Sequence, residues 1–464
     1  MRALIDVTPT KEQLTLFARI LPGIEVIRGA AGSGKTTTAL LKLRSIVASY
    51  LARKRRKNRA EALQVLVLTY NRTLSGYVRE LANHQVNSDE EINLEISTFA
   101  KWARGISPSK LIIAKERRKS WMESLANKTV LPTSFAVEEA DYAMGRFLPS
   151  DIDKYLTARR DGRGGSPRME RATREQLLEE VIKPYIKLKA SSGLIDWNDL
   201  AVDLATTNYC KYEIVIVDET QDFSANQIRA VMNQVAEQHT VTFVLDNAQR
   251  IYASGFTWQE VGLTVRPENS FRLKVNFRNT RETAEFAAAL LAGLAPDDDA
   301  TIPDFTSAKR SGDKPVILKG NYPNQVEYAI KYIEEHIDKS ASIAFLHPKG
   351  WFKDLRCALD ESGLSYVELT RNDEWPQGDE NIALSTLHSA KGLEFDYIFI
   401  LGLDAETLPH GSEFDDEQRQ TLQRLVAMGV GRAKERVFIG YKPERISLLL
   451  VGLNPDLYEE VLLG

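Results

Sequence analysis

The octapeptide Gly29-Ala-Ala-Gly32-Ser33-Gly34-Lys35-Thr36 sets three glycines ahead of a lysine and a hydroxyl. Glycines let successive backbone N–H groups turn toward one point, and the N-terminus of a following helix favours negative charge there. Such a loop cradles phosphate oxygens. Lys35 would reach the β- and γ-phosphates of a nucleotide, the Thr36 hydroxyl would ligate Mg²⁺, and Ser33 and Thr37 flank them in the same cradle. The plain alternative is a Gly-rich strand–helix turn that binds nothing.

A second cluster, Asp218-Glu219-Thr220-Gln221-Asp222, follows the apolar run Glu213–Val217. A carboxylate at the C-terminal end of a parallel strand beside a phosphate loop is placed to hold Mg²⁺, which gives that part to Asp218. Glu219 is then the natural general base for an attacking water. Asp222 has two readings of equal standing, a functional carboxylate or the cap of the next helix. Together the two clusters point to ATP hydrolysis with Mg²⁺.

These residues need strands to carry them. Short apolar runs recur at Gly23–Ile27, Gln64–Leu68, Glu213–Val217 and Val241–Leu245, each followed by a helical pattern. A second series is Val316–Leu318, Ser342–Leu346, Ile382–Ser385, Tyr397–Leu401 and Val437–Gly440. Continuous apolar runs of this length suit strands buried on both faces of a parallel sheet. Two series predict two α/β lobes in tandem. After the phosphate loop, Leu40, Leu43, Val47, Tyr50 and Leu51 mark one helical face. Residues 100–192 have little strand character and read as a helical insertion in the first lobe.

Composition bounds the rest. The chain has 464 residues, 64 acidic and 60 basic, a formal charge of −4, and is 43% hydrophobic and 27% charged, which excludes global disorder. Two cysteines, Cys210 and Cys357, exclude a disulfide framework and a Cys-rich metal cluster. With no bilayer-length apolar run and no secretory leader, the expectation is a cytoplasmic protein without a membrane partner. Between Lys101 and Ala190 stand 19 Lys and Arg against 12 Asp and Glu, a local +7 that suits a polyanion. The basic run Arg53–Arg59 falls at the end of the first long helix, where cations complement the helix dipole without a partner.

Further motifs decide among ATPases. Thr10–Gln13, Leu68-Thr-Tyr70-Asn71, Ser97-Thr98-Phe99, Ile195–Leu200, the Asp218–Asp222 cluster, Val244–Tyr252, Asn276-Phe277-Arg278, Thr386–Phe395 and Val430–Lys434 follow in order. In that order they resemble the motifs of superfamily 1 helicases of the UvrD/Rep type. The resemblance implies two RecA-like lobes: 1–100 with 193–272 as lobe 1A, 101–192 as a basic helical 1B-like insertion, and 273–464 as lobe 2A. It implies that Gln13 reads adenine, Phe277 stacks on it, and Gly392 and Glu394 lie at the ribose side. Gln249 would sense the γ-phosphate, and Arg278 and Arg432 would stabilise the transition state. Tyr70, Asn71, Thr98, Phe99, Tyr252 and His388 would contact a single nucleic-acid strand, DNA before RNA, with 3′→5′ movement; for the Phe and Tyr residues core packing is the alternative.

Three departures stand out. The tryptophan expected to close motif III is Ser254, with Phe256 and Trp258 the nearest aromatics. Gly431 stands where a threonine usually precedes Arg432, and Thr421 and Leu422 where two acidic residues are usual. Arg278 to Thr386 is 108 residues, so the family's 2B insertion is expected to be missing, and 32 residues after Arg432 leave no room for a nuclease domain. A regulatory ATPase subunit that switches a protein partner such as a nuclease is the alternative reading.

Overall fold

A computed structural model of the chain describes residues 13–14, 16, 22–29, 33–58, 61–69, 72–85, 91–108, 111–160, 169–245, 256–273, 278–293, 308, 310–369, 375–376, 378–407 and 417–464. The first half contains β1 (Gly23–Gly29), β2 (Leu63–Thr69), β3 (Ile92–Thr98), β4 (Leu111–Ile112), β5 (Leu194–Ile195), β6 (Tyr212–Val217), β7 (Val235–Leu245) and β8 (Ser270–Leu273). Six of these form one sheet in the order β3-β2-β6-β7-β1-β8, with every pair parallel. Side chains alternate between two buried faces. Along β2, Val65 and Val67 enter one apolar core, and Leu66 and Leu68 enter the other. That double burial is why these strands read as unbroken apolar runs.

The second half contains β9 (Val316–Lys319), β10 (Ile343–His347), β11 (Tyr366–Glu368), β12 (Ile382–Thr386), β13 (Phe395–Ile400), β14 (Ala433–Tyr441) and β15 (Glu459–Leu462). They form a seven-stranded sheet, β11-β12-β10-β13-β14-β9-β15, again wholly parallel. Two parallel α/β lobes in tandem are therefore present, as the two series of apolar runs predict. The runs did not reveal β3: its Asn93 and Glu95 alternate with apolar residues because β3 lies at an edge of its sheet.

The basic stretch between β4 and β5 is helical. Helices Lys115–Ala126, Thr133–Arg146, Arg171–Leu177 and Lys183–Ser191 enclose a separate core around Met122, Phe135, Tyr155, Leu178 and Tyr185. This unit is bolted to the first lobe by polar contacts. Asn226 Nδ2 donates to the carbonyls of Met144 and Phe147, both at 2.9 Å, and Arg229 Nη1 donates to that of Arg146 at 2.7 Å. Asp196 caps helix Trp197–Thr206 while accepting from Tyr185 Oη at 2.9 Å and pairing with Lys189 at 3.0 Å. The helix that follows Asp218–Asp222 thus holds the insertion directly.

Candidate nucleotide and strand site

β1 ends at Gly29, in register with Leu273 of β8. Buried Ser33 and then Gly34 lead into helix Lys35–Arg56. Gly34 has φ 72°, the left-handed region, and a Cβ there would stand 2.6 Å from Gln13 Nε2. Backbone and neighbour both demand glycine. Gln13, buried, donates from Nε2 to the Gly34 carbonyl at 3.4 Å, so the residue expected to read adenine lies against the phosphate loop. Lys35, Thr36 and Thr37 form the first helical turn, half-buried, where N–H groups lack intrahelical acceptors and favour an anion.

Thr36 Oγ1 donates to Asp218 Oδ2 at 2.9 Å, joining residues 182 positions apart. Two oxygen donors from two elements, beside a phosphate cradle, fit a hard divalent cation such as Mg²⁺. Burial and the neighbouring Glu219 charge push the Asp218 carboxyl up to about 7, against the Thr36 hydrogen bond and Lys35. A carboxylate so placed gains from a bound cation.

Glu219 adopts φ 50°, left-handed for a residue with a side chain, a strain on the order of 1–3 kcal/mol that clusters at functional sites. Burial alone would raise its carboxyl, but Lys391, Arg432 and Lys35 outweigh burial and hold it below the usual range. Gln221 Nε2 donates to Glu219 Oε2, and Lys391 Nζ stands 3.7 Å away. Two of those three cations belong to the second lobe.

Ser224, with Gln227, caps helix Ala225–Asn233 in a reciprocal capping box. Asp222 therefore does not cap it. Its carboxylate instead accepts from Lys391 across the lobe boundary.

On the second lobe, Lys391, Gly392 and Glu394 occupy the connection between β12 and β13. Arg278 donates to Glu394 and, at 3.3 Å, to the Gly431 carbonyl. Asn279 Nδ2 also donates to Gly431 O at 3.1 Å and to Ala433 O at 2.6 Å. Burial would raise the Glu394 carboxyl, yet Arg278 holds it below the ordinary value. Two residues expected at opposite ends of ATP thus engage each other. Gly431 takes part through its backbone, so its departure from threonine leaves these contacts intact. Arg432 is buried, with Nε 3.4 Å from Met428 Sδ.

The strand-contact candidates divide. His388 is exposed. Thr98 accepts from Lys101 N at 3.4 Å and caps helix Phe99–Ile106. Phe99 departs from the expectation of a base-stacking face: it is 6% exposed, edge-on to Trp102 and Phe223 at 5.5 and 6.1 Å, and serves as core. Trp258 packs 5.0 Å from Phe243 and 5.8 Å from Phe256 against the same core. Gly32, Tyr70, Asn71, Gln249, Tyr252 and Phe277 lie outside the described residues. In the basic run, Lys54 pairs with Glu213 at 2.9 Å and Arg55 pairs with Glu91, which needs no external polyanion. The motifs by themselves imply no role for Lys391, Asn279 or Gln221. The available signal is a lysine set among Ala390, Gly392 and Leu393.

A phosphate loop on one parallel lobe, met by cations from a second, defines a two-lobed P-loop nucleotide-binding protein. Residues 10–257 match the family profile described as UvrD/REP helicase N-terminal domain, and residues 346–444 match the UvrD-like helicase C-terminal domain. The chain belongs to the UvrD-like helicase family. It is 31% identical over 90 residues to the ATP-dependent DNA helicase PcrA of Bacillus subtilis, which covers 19% of this chain and 12% of that protein. It is 37% identical over 78 residues to the ATP-dependent DNA helicase Rep of Escherichia coli, which covers 17% and 12%. These matched segments thus span about an eighth of each relative's length. A solved C-terminal domain of a possible DNA helicase from Lactobacillus plantarum covers 40% of this chain and 99% of its own, at 19% identity and a TM-score of 0.31. No described helix is long and apolar enough to cross a membrane.

Proposed function

We propose that the chain is an ATP-dependent DNA translocase of helicase type, moving 3′→5′ on single-stranded DNA. The observation that carries this is Lys391 of the second lobe standing 3.7 Å from Glu219 of the first, where Arg432 and Lys35 also act to hold the carboxyl below its usual range. A base whose cationic surroundings come from both lobes works only when the lobes are together.

Glu219, kept ionised, takes a proton from the attacking water. Lys35 and the first-turn N–H groups hold the phosphates. Arg278 and Arg432 oppose the charge that spreads over the γ-phosphoryl oxygens in the transition state. Thr36 and Asp218 would hold Mg²⁺, which would supply positive charge against the phosphates. Arg278 must exchange Glu394 for phosphate, which frees Glu394 for the ribose. Closure and reopening of the lobes in each cycle then shift one strand contact relative to the other.

The domain reading that goes with this is lobe 1A from 1–100 and 193–272, a 1B-like insertion at 101–192, and lobe 2A from 273–464 without 2B. With only the +7 insertion to touch duplex, movement on single strands should exceed unwinding. The test is steady-state ATP hydrolysis with single-stranded DNA, single-stranded RNA, duplex DNA and no nucleic acid, followed by a stopped-flow translocation assay. Stimulation by single-stranded DNA above the other three, with movement, supports the proposal. Stimulation without movement favours a regulatory ATPase that switches a partner.

A further inference from the structure

Among the described residues the large exposed aromatics are Trp197, Tyr209 and Trp351, and Trp351 is the most open at 57%. Of the three, Trp351 alone sits in a loop that leaves the C-terminal end of a lobe-sheet strand, β10. Ligands of parallel α/β sheets bind at that edge. An indole left in water there forgoes the burial its ring would gain in a core. Its surroundings are built to hold it in place.

His347, the last residue of β10, is buried, and its Nδ1 accepts from the backbone N–H of Lys349 at 3.1 Å and of Trp351 at 3.2 Å. Those two bonds fix the ring as the tautomer with hydrogen on Nε2. Burial, with Lys349 nearby, lowers its pKa to about 4, so the imidazole stays neutral and the clamp persists at neutral pH. Gly350 between them has φ 69°, and its N–H returns to His347 O at 3.3 Å. A Cβ on Gly350 would stand 3.1 Å from Thr386 Cγ2, so the loop packs directly on the start of the Thr386–Phe395 motif. Leu387 N donates to His347 O at 3.4 Å, which ties the loop to the turn that exposes His388.

Charge lies beside the ring. Lys349 Nζ sits 4.5 Å from the Trp351 ring centroid, and Lys349 and Lys353 are both exposed. A lysine ammonium over an exposed indole is only weakly held and yields to a phosphate. Flat ring and exposed cation together match one unit of a single strand, a base and its phosphate. Of the first-lobe aromatics, Phe99 is buried in a core and Phe256 and Trp258 are half-buried against it, whereas Trp351 presents an open face.

We infer that Trp351 and Lys349 form a base-stacking and phosphate-pairing subsite for single-stranded DNA on the second lobe, contiguous with His388. The inference rests on the proposed single-strand translocase and adds a contact that its motifs do not name.

The test uses the full chain and a fluorescein-labelled oligo(dT), read by anisotropy at fixed salt. Trp351→Ala should weaken binding about 5- to 150-fold, the range for loss of one stacking aromatic, and Trp351→Phe should restore most of it. An oligonucleotide with an abasic tract should bind the wild type more weakly, and Trp351→Ala should add little to that loss. Lys349→Ala should reduce the slope of log affinity against log salt by about 0.7. Tryptophan emission quenched by oligo(dT) in the wild type should lose that component in Trp351→Phe, a readout that survives if the alanine variant folds poorly. Wild-type binding with unchanged affinity in Trp351→Ala and unchanged quenching in Trp351→Phe overturns the subsite and leaves the translocase reading standing. Absence of wild-type binding to oligo(dT) overturns both.

Discussion

Lys391 of the second lobe donates to the Asp222 carboxylate of the first, across 169 positions of sequence, with both side chains almost wholly buried. The same ammonium stands 3.7 Å from Glu219. One side chain thereby links lobe apposition to the charge around the proposed base. Removing one partner of a buried pair typically costs about 3–5 kcal/mol, because the other charge stays behind unpaired.

Asp222→Asn should therefore lower stability by about that amount, and Lys391→Met similarly. The double variant should cost clearly less than the sum of the two, with a coupling of at least about 1 kcal/mol. Urea unfolding of the four proteins checks this. Strict additivity would show that the contact does not hold the lobes.

Lys35→Ala should abolish ATP hydrolysis while leaving the fold and much of the single-strand affinity, because Lys35 begins the helix at the phosphate loop. Glu219→Gln should bind ATP and fail to turn it over, which traps the closed form. Filter binding of labelled ATP, beside a phosphate-release assay, separates the two phenotypes.

Arg278 and Arg432 should each contribute to kcat, where such arginines contribute about 10³–10⁵ in other enzymes. If they act as one unit, the double alanine variant should lose far less than the product of the singles. Glu394→Gln removes the charge that Arg278 engages in this structure, and should weaken ATP binding less than Arg278→Ala slows turnover. Steady-state kinetics of the four variants resolves kcat from KM.

Phe99→Ala should act first on stability, costing about 3–5 kcal/mol as a buried aromatic truncation, and only second on strand binding. Denaturant unfolding beside oligonucleotide binding distinguishes this from a stacking role. A stable variant with lost binding would reverse the assignment.

The lobes and the phosphate loop were legible because their signals are local. Strands buried on both faces write unbroken apolar runs such as Val65–Leu68 and Ile214–Val217, and a phosphate loop must bunch its glycines. Pairings made by lobe closure leave no such trace. Asp222 reads equally well as a cap until Ser224 is seen to cap the helix and Lys391 to reach across. Phe99 follows Thr98 in a motif-like order, and only the position of Trp102 and Phe223 shows that its ring faces inward. The engagement of Arg278 with Glu394, and the left-handed Glu219 backbone, are likewise tertiary facts.

In the proposed motor, ATP hydrolysis at a base governed from both lobes drives movement along single-stranded DNA. The most direct measurement is stopped-flow translocation on oligo(dT) of increasing length, with ATP hydrolysed per nucleotide counted in the same preparation. A translocase should show a lag that grows with length, a 3′→5′ bias when the reporter is moved between ends, and loss of both in Glu219→Gln. Hydrolysis stimulated by oligo(dT) with no length-dependent lag at either end would contradict it.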